Sequence, residues 1–576
     1  MSEISKTQDQ RPKTNIRYIW VLFIALIVFT YFFGLTIPLV GPDEPRYAQV
    51  AREMFLRHDW ITPTLGGFGW FEKPALLYWL QIIAYKIFGV SEFSARVGSA
   101  LFGLGTIASL WVLGRYGAEK PTSNEQRATN DYANWLAVIA ATSIGIIVFS
   151  RGASFDIILT FPMTAALVGF FIFDSAVAGL YSKYNDNDPA SENPQSEFRN
   201  PQSKNPPTNA DGSDLVLRVA VSLFAFYFFT GVALIAKGLI GIIFPFAIVT
   251  FYYVLSFRFP PKKFLISLIW GVPLILLVAA IWYWPMYETN GYKFIDEFII
   301  QHHFQRFTSN KYQHPQPFIF FFWVLPLMTI PWLPFFIFSI WKFLRGGFRC
   351  VTASPRLPVS PSRLLLFSFS WLLVPLVFFS FSGSKLPGYI LPALPAAIIF
   401  AADRFYKFVD DDQARRRWMF GLAAATLVVI IVLLQFFVMS FANADSVKAL
   451  IAAANARGYS SERVLGLHTV SHNAEFYAAG RLVRNEDGTQ RRFFSANEIQ
   501  QEVLRSNGEP ALVLVPLERV NELTQNNALH SEVIADNTEL AIVQVSMNSS
   551  PPPLVADGPS APHRSPLLSQ VRNRSF

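Results

Sequence analysis

Eleven apolar runs dominate this chain, at about 17–39, 93–116, 132–150, 157–180, 215–236, 238–257, 264–284, 318–343, 363–381, 388–407 and 417–440. Each is long enough to cross roughly 30 Å of hydrocarbon as a helix. A chain that must bury this much apolar surface in lipid can satisfy its backbone only as a helical bundle or a closed barrel, and runs of this length select the bundle. Charged residues make up 15% of the chain, against roughly 25% in soluble domains. An ordinary soluble enzyme is thereby excluded. The net charge of +8 forms no basic stripe, so no nucleic-acid partner is expected.

The basic residues mark topology instead. With residues 1–16 as a cytoplasmic tail, Arg115, Lys120 and Arg127, then Arg258, Lys262 and Lys263, then Lys342, Arg345 and Arg349, then Arg404, Lys407 and Arg415 to Arg417 all fall on the cytoplasmic side, as the positive-inside rule requires. The first run lacks a small-residue cleavage site and is expected to stay as an anchor. The catalytic membrane domain then spans 17–440, with external loops at 40–92, 285–317 and 382–387 and a polar cytoplasmic linker at 181–214. Beyond 440, helical patterns at 445–457 and 496–506 alternate with short apolar runs at 511–516 and 540–546. They predict a small external α/β domain over 441–548, followed by a Pro- and Ser-rich tail over 549–576 expected to be disordered. The fold class expected is mainly α, a polytopic transmembrane bundle of about 11–13 spans with this C-terminal α/β domain.

Sorted by side, the external charges stand out. Asp43 and Glu44 open an amphipathic helix after Gly41-Pro42, with Arg46 and Arg52 following. Acidic residues there complement the helix dipole; they also suit an active-site edge where a carboxylate is general base and cations hold an anion. Glu72-Lys73 lies between aromatics and a proline, either as an interfacial pair or with Lys73 as a ligand for a lipid phosphate. Arg151 and Asp156 share an external junction, as a structural pair or as functional charges, and Lys237 stands isolated between two runs, either snorkelling or catalytic. His302, His303 and Arg306, with His314 beyond, could complete a metal site or clamp a phosphate. Lys385 and Tyr389 flank a proline-broken entry into a span, where they could gate a lipid headgroup. His468 and His472 read as surface residues. One cysteine, Cys350, excludes a disulfide framework. Asp186-Asn187-Asp188 falls in the polar linker and no glycine-rich phosphate loop is present, so no nucleotide cofactor is expected.

In their order and on their common side, Asp43-Glu44 with Arg46-Tyr47, Glu72-Lys73-Pro74, Asp156, Lys237-Gly238, His303 with Arg306, and Lys385-Leu386-Pro387 with Tyr389 resemble the motifs of membrane glycosyltransferases of the protein O-mannosyltransferase superfamily. The chain looks most like the bacterial branch of undecaprenyl phosphate 4-amino-4-deoxy-L-arabinose transferases, over about 15–440. That resemblance implies a GT-C fold, a polyprenyl-phosphate sugar donor, an inverting transfer, and lipid A, another glycolipid or a protein as acceptor. It implies Asp43 and Asp156 as catalytic carboxylates with Glu44 beside them, and Lys73 and Arg306 on the donor phosphate. Tyr389 would lie near the donor headgroup, and Glu72 with His303 would bind a divalent metal, zinc by resemblance. The inner membrane is the implied location, with the C-terminal domain periplasmic. A mannosyl- or other hexosyltransferase is the nearest alternative; a flippase of lipid-linked sugars and an inert assembly protein are alternatives of other classes.

Overall fold

The computed structural model describes residues 13–116, 123–186, 209–305, 315–346, 361–410 and 412–548. Every apolar run is helical, but the eleven are not equivalent. Among the described residues seven helices are long and apolar enough to cross a membrane on their own, or up to eight if one bent pair counts as a span. Of the other runs, the apolar part of α1 (Lys13–Phe32) and all of α9 (Ile240–Leu255) are shorter, and two are broken.

The breaks have a physical reason. One run is split into α5 (Ser123–Thr142) and α6 (Ile144–Ser150), bent by 58°. Another is split into α11 (Phe320–Met328) and α12 (Leu333–Gly346). The two breaks meet: the Ile144 amide donates to the Ile330 carbonyl at 2.9 Å, and the Trp332 indole donates to Thr142 Oγ1 at 2.9 Å. Each interruption satisfies polar groups freed by the other, the condition for non-helical backbone at membrane depth.

The remaining spans are α4 (Glu92–Tyr116), α7 (Phe155–Asp186), α8 (Asn209–Lys237), α10 (Lys262–Phe294), α13 (Pro361–Ser380), α14 (Leu394–Val409), entered through a 3₁₀ turn at Pro387–Ala393, and α15 (Gln413–Leu433). The helix α10 continues into a π-helical segment at Ile295–Gln305, so the expected loop at 285–317 begins as a helix. Phe294 and Phe298 are held there by packing on Trp282 and Phe71.

The first external loop folds into α2 (Asp43–Arg57), a hairpin of β1 (Thr64–Leu65) and β2 (Phe68–Gly69), and α3 (Leu76–Phe88). The hairpin turn needs glycine twice, since Gly66 and Gly67 both hold positive φ. Glu53, buried on α2, fixes that turn by accepting from Thr64 Oγ1 at 2.7 Å and from the Gly66 and Gly67 amides at 2.6 and 3.2 Å.

The helical run from α15 continues to Asp445, a few residues past the expected boundary at 440. Beyond it lies a five-stranded mixed sheet of order β4-β3-β5-β7-β6, comprising β3 (Arg463–Leu467), β4 (Arg492–Phe493), β5 (Ala511–Pro516), β6 (Leu529–Asp536) and β7 (Leu540–Met547). Apolar clusters cover both faces. The expected helices appear as Lys448–Ala456 and Ala496–Arg505, and the two expected strands as β5 and β7. The domain docks on the first external loop. Tyr477 donates to Glu92 at 3.0 Å and accepts from the Leu39 amide at 2.9 Å, Lys448 pairs with Glu92 at 2.6 Å, and Arg52 donates to the Phe476 carbonyl at 3.3 Å.

Candidate active site

Two of the described carboxylates at the end of the bundle that carries the α/β domain, Asp43 and Asp156, have few donors around them. Asp43 stands in the first turn of α2, its side chain 53% exposed, paired with Arg46 at 3.0 Å. Arg46 also donates to the Pro42 carbonyl at 2.6 Å and lies 5.7 Å from the Trp70 ring, so the cation is braced while the carboxylate faces solvent. An exposed pair of this kind contributes little to stability.

Asp156 opens α7, where the helix dipole favours a negative charge, and its amide donates to Ser154 Oγ at 3.1 Å. Its partner is Lys237, the last residue of α8, which lies 5.2 Å from the Tyr389 ring. Gly388 leaves the room: a side chain at that position would overlap the Asp156 carboxylate. Three expected residues, Asp156, Lys237 and Tyr389, are thus brought together from three distant parts of the chain.

An aromatic wedge joins the two carboxylates. Phe155 packs edge-on against Tyr47 at 4.9 Å and Tyr78 at 5.4 Å. Burial, followed by the charges of Asp43 and Glu72, holds the Tyr47 hydroxyl well above the usual tyrosine range; burial and Glu72 do the same for Tyr78. Both hydroxyls therefore stay protonated as potential donors, and Glu72 acts on the same pair of rings as Asp43. Lys73 is half-buried beside Glu72.

Other expectations are corrected. Glu44 is filled by four hydrogen bonds: it accepts from Arg96 Nε at 3.0 Å and Nη2 at 2.6 Å, and from the Ala153 and Val40 amides at 2.7 and 3.3 Å. Arg96 also donates to the Leu35 and Pro38 carbonyls, each at 3.1 Å, so the pair locks the chain crossing between α1, α2, α4 and α7. Lys385 is buried and donates to the Ser382 carbonyl at 2.6 Å and the Gln316 carbonyl at 3.1 Å, clamping its own turn rather than presenting a free ammonium. Arg151 bonds the Thr30 and Phe33 carbonyls at the end of α1 instead of pairing with Asp156. Arg52 turns to the α/β domain.

Arg306 and His314 lie outside the described residues, and His303 is described only as backbone of the π-helical segment. Among the described residues no three His, Cys, Asp or Glu side chains gather as a metal site. Glu72 thus has no described set of co-ligands, and no chemical step is derived through a metal.

His472, read from the sequence as a surface residue, is exposed. It precedes the short helix Ala474–Tyr477 that docks on α2, in a turn fixed by Asn473 Nδ2, which donates to the Asp445 carbonyl at 3.2 Å. Burial and the Arg46 guanidinium hold its imidazole below the usual histidine range, against the opposing pull of Glu475 and Asp43. No local pattern announces that the docking of another domain brings this imidazole under the influence of Arg46.

This geometry defines a polytopic helical membrane protein with an α/β domain docked at the bundle end that holds Asp43 and Asp156, and the comparisons place it further. Residues 15–178 match the dolichyl-phosphate-mannose-protein mannosyltransferase family. The chain is 28% identical over 400 residues to the undecaprenyl phosphate-alpha-4-amino-4-deoxy-L-arabinose arabinosyl transferase of Shewanella sediminis, covering 68% of this chain and 60% of that protein. It is 28% identical over 395 residues to the Serratia proteamaculans protein of the same name, covering 66% and 59%. The matched region thus spans about 60% of the length of these relatives. The crystal structure of ArnT from Cupriavidus metallidurans bound to undecaprenyl phosphate superposes with a TM-score of 0.65 at 21% identity, over 92% of this chain and 98% of that one; the apo structure matches equally. The fold is that of ArnT, and the resemblance seen in the sequence is borne out.

Proposed function

We propose that this protein is an inner-membrane glycosyltransferase that moves a sugar, 4-amino-4-deoxy-L-arabinose by similarity, from undecaprenyl phosphate to an acceptor on the periplasmic face, with lipid A the favoured acceptor. The observation that carries the reading is the pair Asp43 and Asp156, set on separate helices whose neighbouring residues Tyr47, Phe155 and Tyr78 pack together. The names of the relatives and of the solved structure support the donor class.

In the inverting transfer, an acceptor oxygen attacks the anomeric carbon from the face opposite the lipid phosphate. The carbon–oxygen bond to that phosphate breaks, and the electron pair leaves with it. Asp43 takes the proton when the acceptor is a hydroxyl; an anionic phosphate acceptor arrives already deprotonated. Asp156, held by Lys237, is placed to orient the sugar. Lys73 and Arg306 are assigned by resemblance to the leaving phosphate, whose growing charge cations stabilise. Arg46, paired with Asp43 at 3.0 Å, and His472, under its influence, are assigned to the acceptor. A flippase would need ionisable groups along the mid-bundle path, whereas the ion pairs described between spans gather at their two ends.

The test is mass spectrometry of membrane lipids from cells with and without the protein. A 4-amino-4-deoxy-L-arabinose-sized increment on lipid A that depends on the protein is the expected result. The same increment on another glycolipid or on protein would reassign the acceptor, and no difference in any of the three would reject the transferase reading.

A further inference from the structure

The two most exposed large apolar side chains among the described residues are Phe259, 95% exposed, and Phe257, 81% exposed. They flank Arg258 in the turn between α9 and α10, at the end of the bundle opposite Asp43 and Asp156. The turn is built rather than loose. Phe257 holds a left-handed φ of 50°, a conformation uncommon for an aromatic residue. The Arg258 amide donates to the Tyr253 carbonyl at 3.2 Å, and Pro260-Pro261 stiffen the entry into α10. The Arg258 guanidinium pairs with Asp174 at 3.3 Å and lies 5.8 Å from the Tyr252 ring.

Depth follows from length. The 16 residues of α9 span only about 24 Å as a helix, short of roughly 30 Å of hydrocarbon. The turn that follows therefore sits at the membrane edge and not clear of it. Its charge is one-sided: Arg258, Lys262 and Lys263 fall within six residues, while Asp174 is shared with Arg363 at 2.7 Å. Both lysines are exposed, and neither makes an ion pair among the described residues.

We infer that the turn Phe257–Lys263 is a binding site for an anionic phospholipid. The two rings enter the acyl region just below the headgroups, and Lys262 and Lys263, with Arg258 beside them, bracket the headgroup phosphate. Charge complementarity selects the lipid class, since aromatic side chains at a span end anchor in any bilayer while juxtamembrane cations add attraction only for anionic lipids.

Native mass spectrometry of the full chain, titrated with phosphatidylglycerol, phosphatidylcholine or soluble glycerol 3-phosphate, tests this. Wild-type protein should retain phosphatidylglycerol in preference to phosphatidylcholine and bind no glycerol 3-phosphate at the same concentrations. K262Q/K263Q should lose about thirtyfold of the phosphatidylglycerol affinity, K262R/K263R should keep it, and F257A/F259A should weaken both lipids. Equal retention of the two lipids by wild type, or unchanged binding by K262Q/K263Q, would overturn the site; glycerol 3-phosphate binding as tight as the lipid would assign it to free phosphate instead.

Discussion

Two aspartates on one helix, Asp156 and Asp174 of α7, sit at opposite ends of the bundle and have opposite fates. Asp174 is 2% exposed and accepts from the Tyr252 and Tyr253 hydroxyls, each at 3.0 Å, from Arg363 at 2.7 Å and from Arg258 at 3.3 Å. Asp156 is 18% exposed and has one lysine, a nearby serine and the space that Gly388 leaves. The contrast shows that position in a span does not decide what a carboxylate does; the number of donors around it does. Saturated by four donors, Asp174 fastens α7 to α9, α13 and the turn before α10. Undersaturated, Asp156 keeps lone pairs without a partner among the described donors. Asp43 and Glu44 repeat the contrast at adjacent positions, the first exposed with one arginine, the second filled by Arg96 and two backbone amides.

The comparison can be broken in order of expected effect. Asp156→Asn should lower sugar transfer by about 10²–10⁴-fold, the range for loss of a positioned catalytic group, with thermal unfolding of the purified protein nearly unchanged; a large drop in melting temperature would put Asp156 in the same class as Asp174. Asp174→Ala strands two arginines and should cost about 3–5 kcal/mol of stability, seen as a lower unfolding midpoint, while turnover per folded molecule stays close to wild type. Gly388→Ala should push the Asp156 carboxylate aside and reduce transfer by about 10²-fold, the scale of a misplacement of roughly 1 Å; unchanged turnover would show that Asp156 tolerates displacement. His472→Ala should have the smallest effect, a several-fold rise in KM for acceptor with KM for donor unchanged. An equal rise in both would remove it from the acceptor side.

Much of this was legible in the sequence because it depends on local pattern. The helical runs, the helix that begins at Asp43, the strands expected at 511–516 and 540–546 and the candidate residues Asp156, Lys237 and Tyr389, gathered at one bundle end, follow from hydropathy, capping and the placement of charge. What escaped depends on contacts between distant segments. Nothing around Ser143 announces that Ile330 will satisfy the amide of Ile144 and allow the span to break. Nothing around Glu44 reveals Arg96, fifty-two positions away, and so two neighbouring carboxylates looked alike. Lys385 looked available because its acceptors, the Ser382 and Gln316 carbonyls, are backbone groups that carry no sequence signature.

The central claim is that Asp43 does chemistry while its neighbour Glu44 holds the fold. Purified protein in proteoliposomes, supplied with undecaprenyl phosphate-linked 4-amino-4-deoxy-L-arabinose and lipid A, tests it by comparing wild type with Asp43→Asn. The account predicts that the variant inserts and melts as wild type does and transfers no measurable sugar. Full transfer by Asp43→Asn would contradict it.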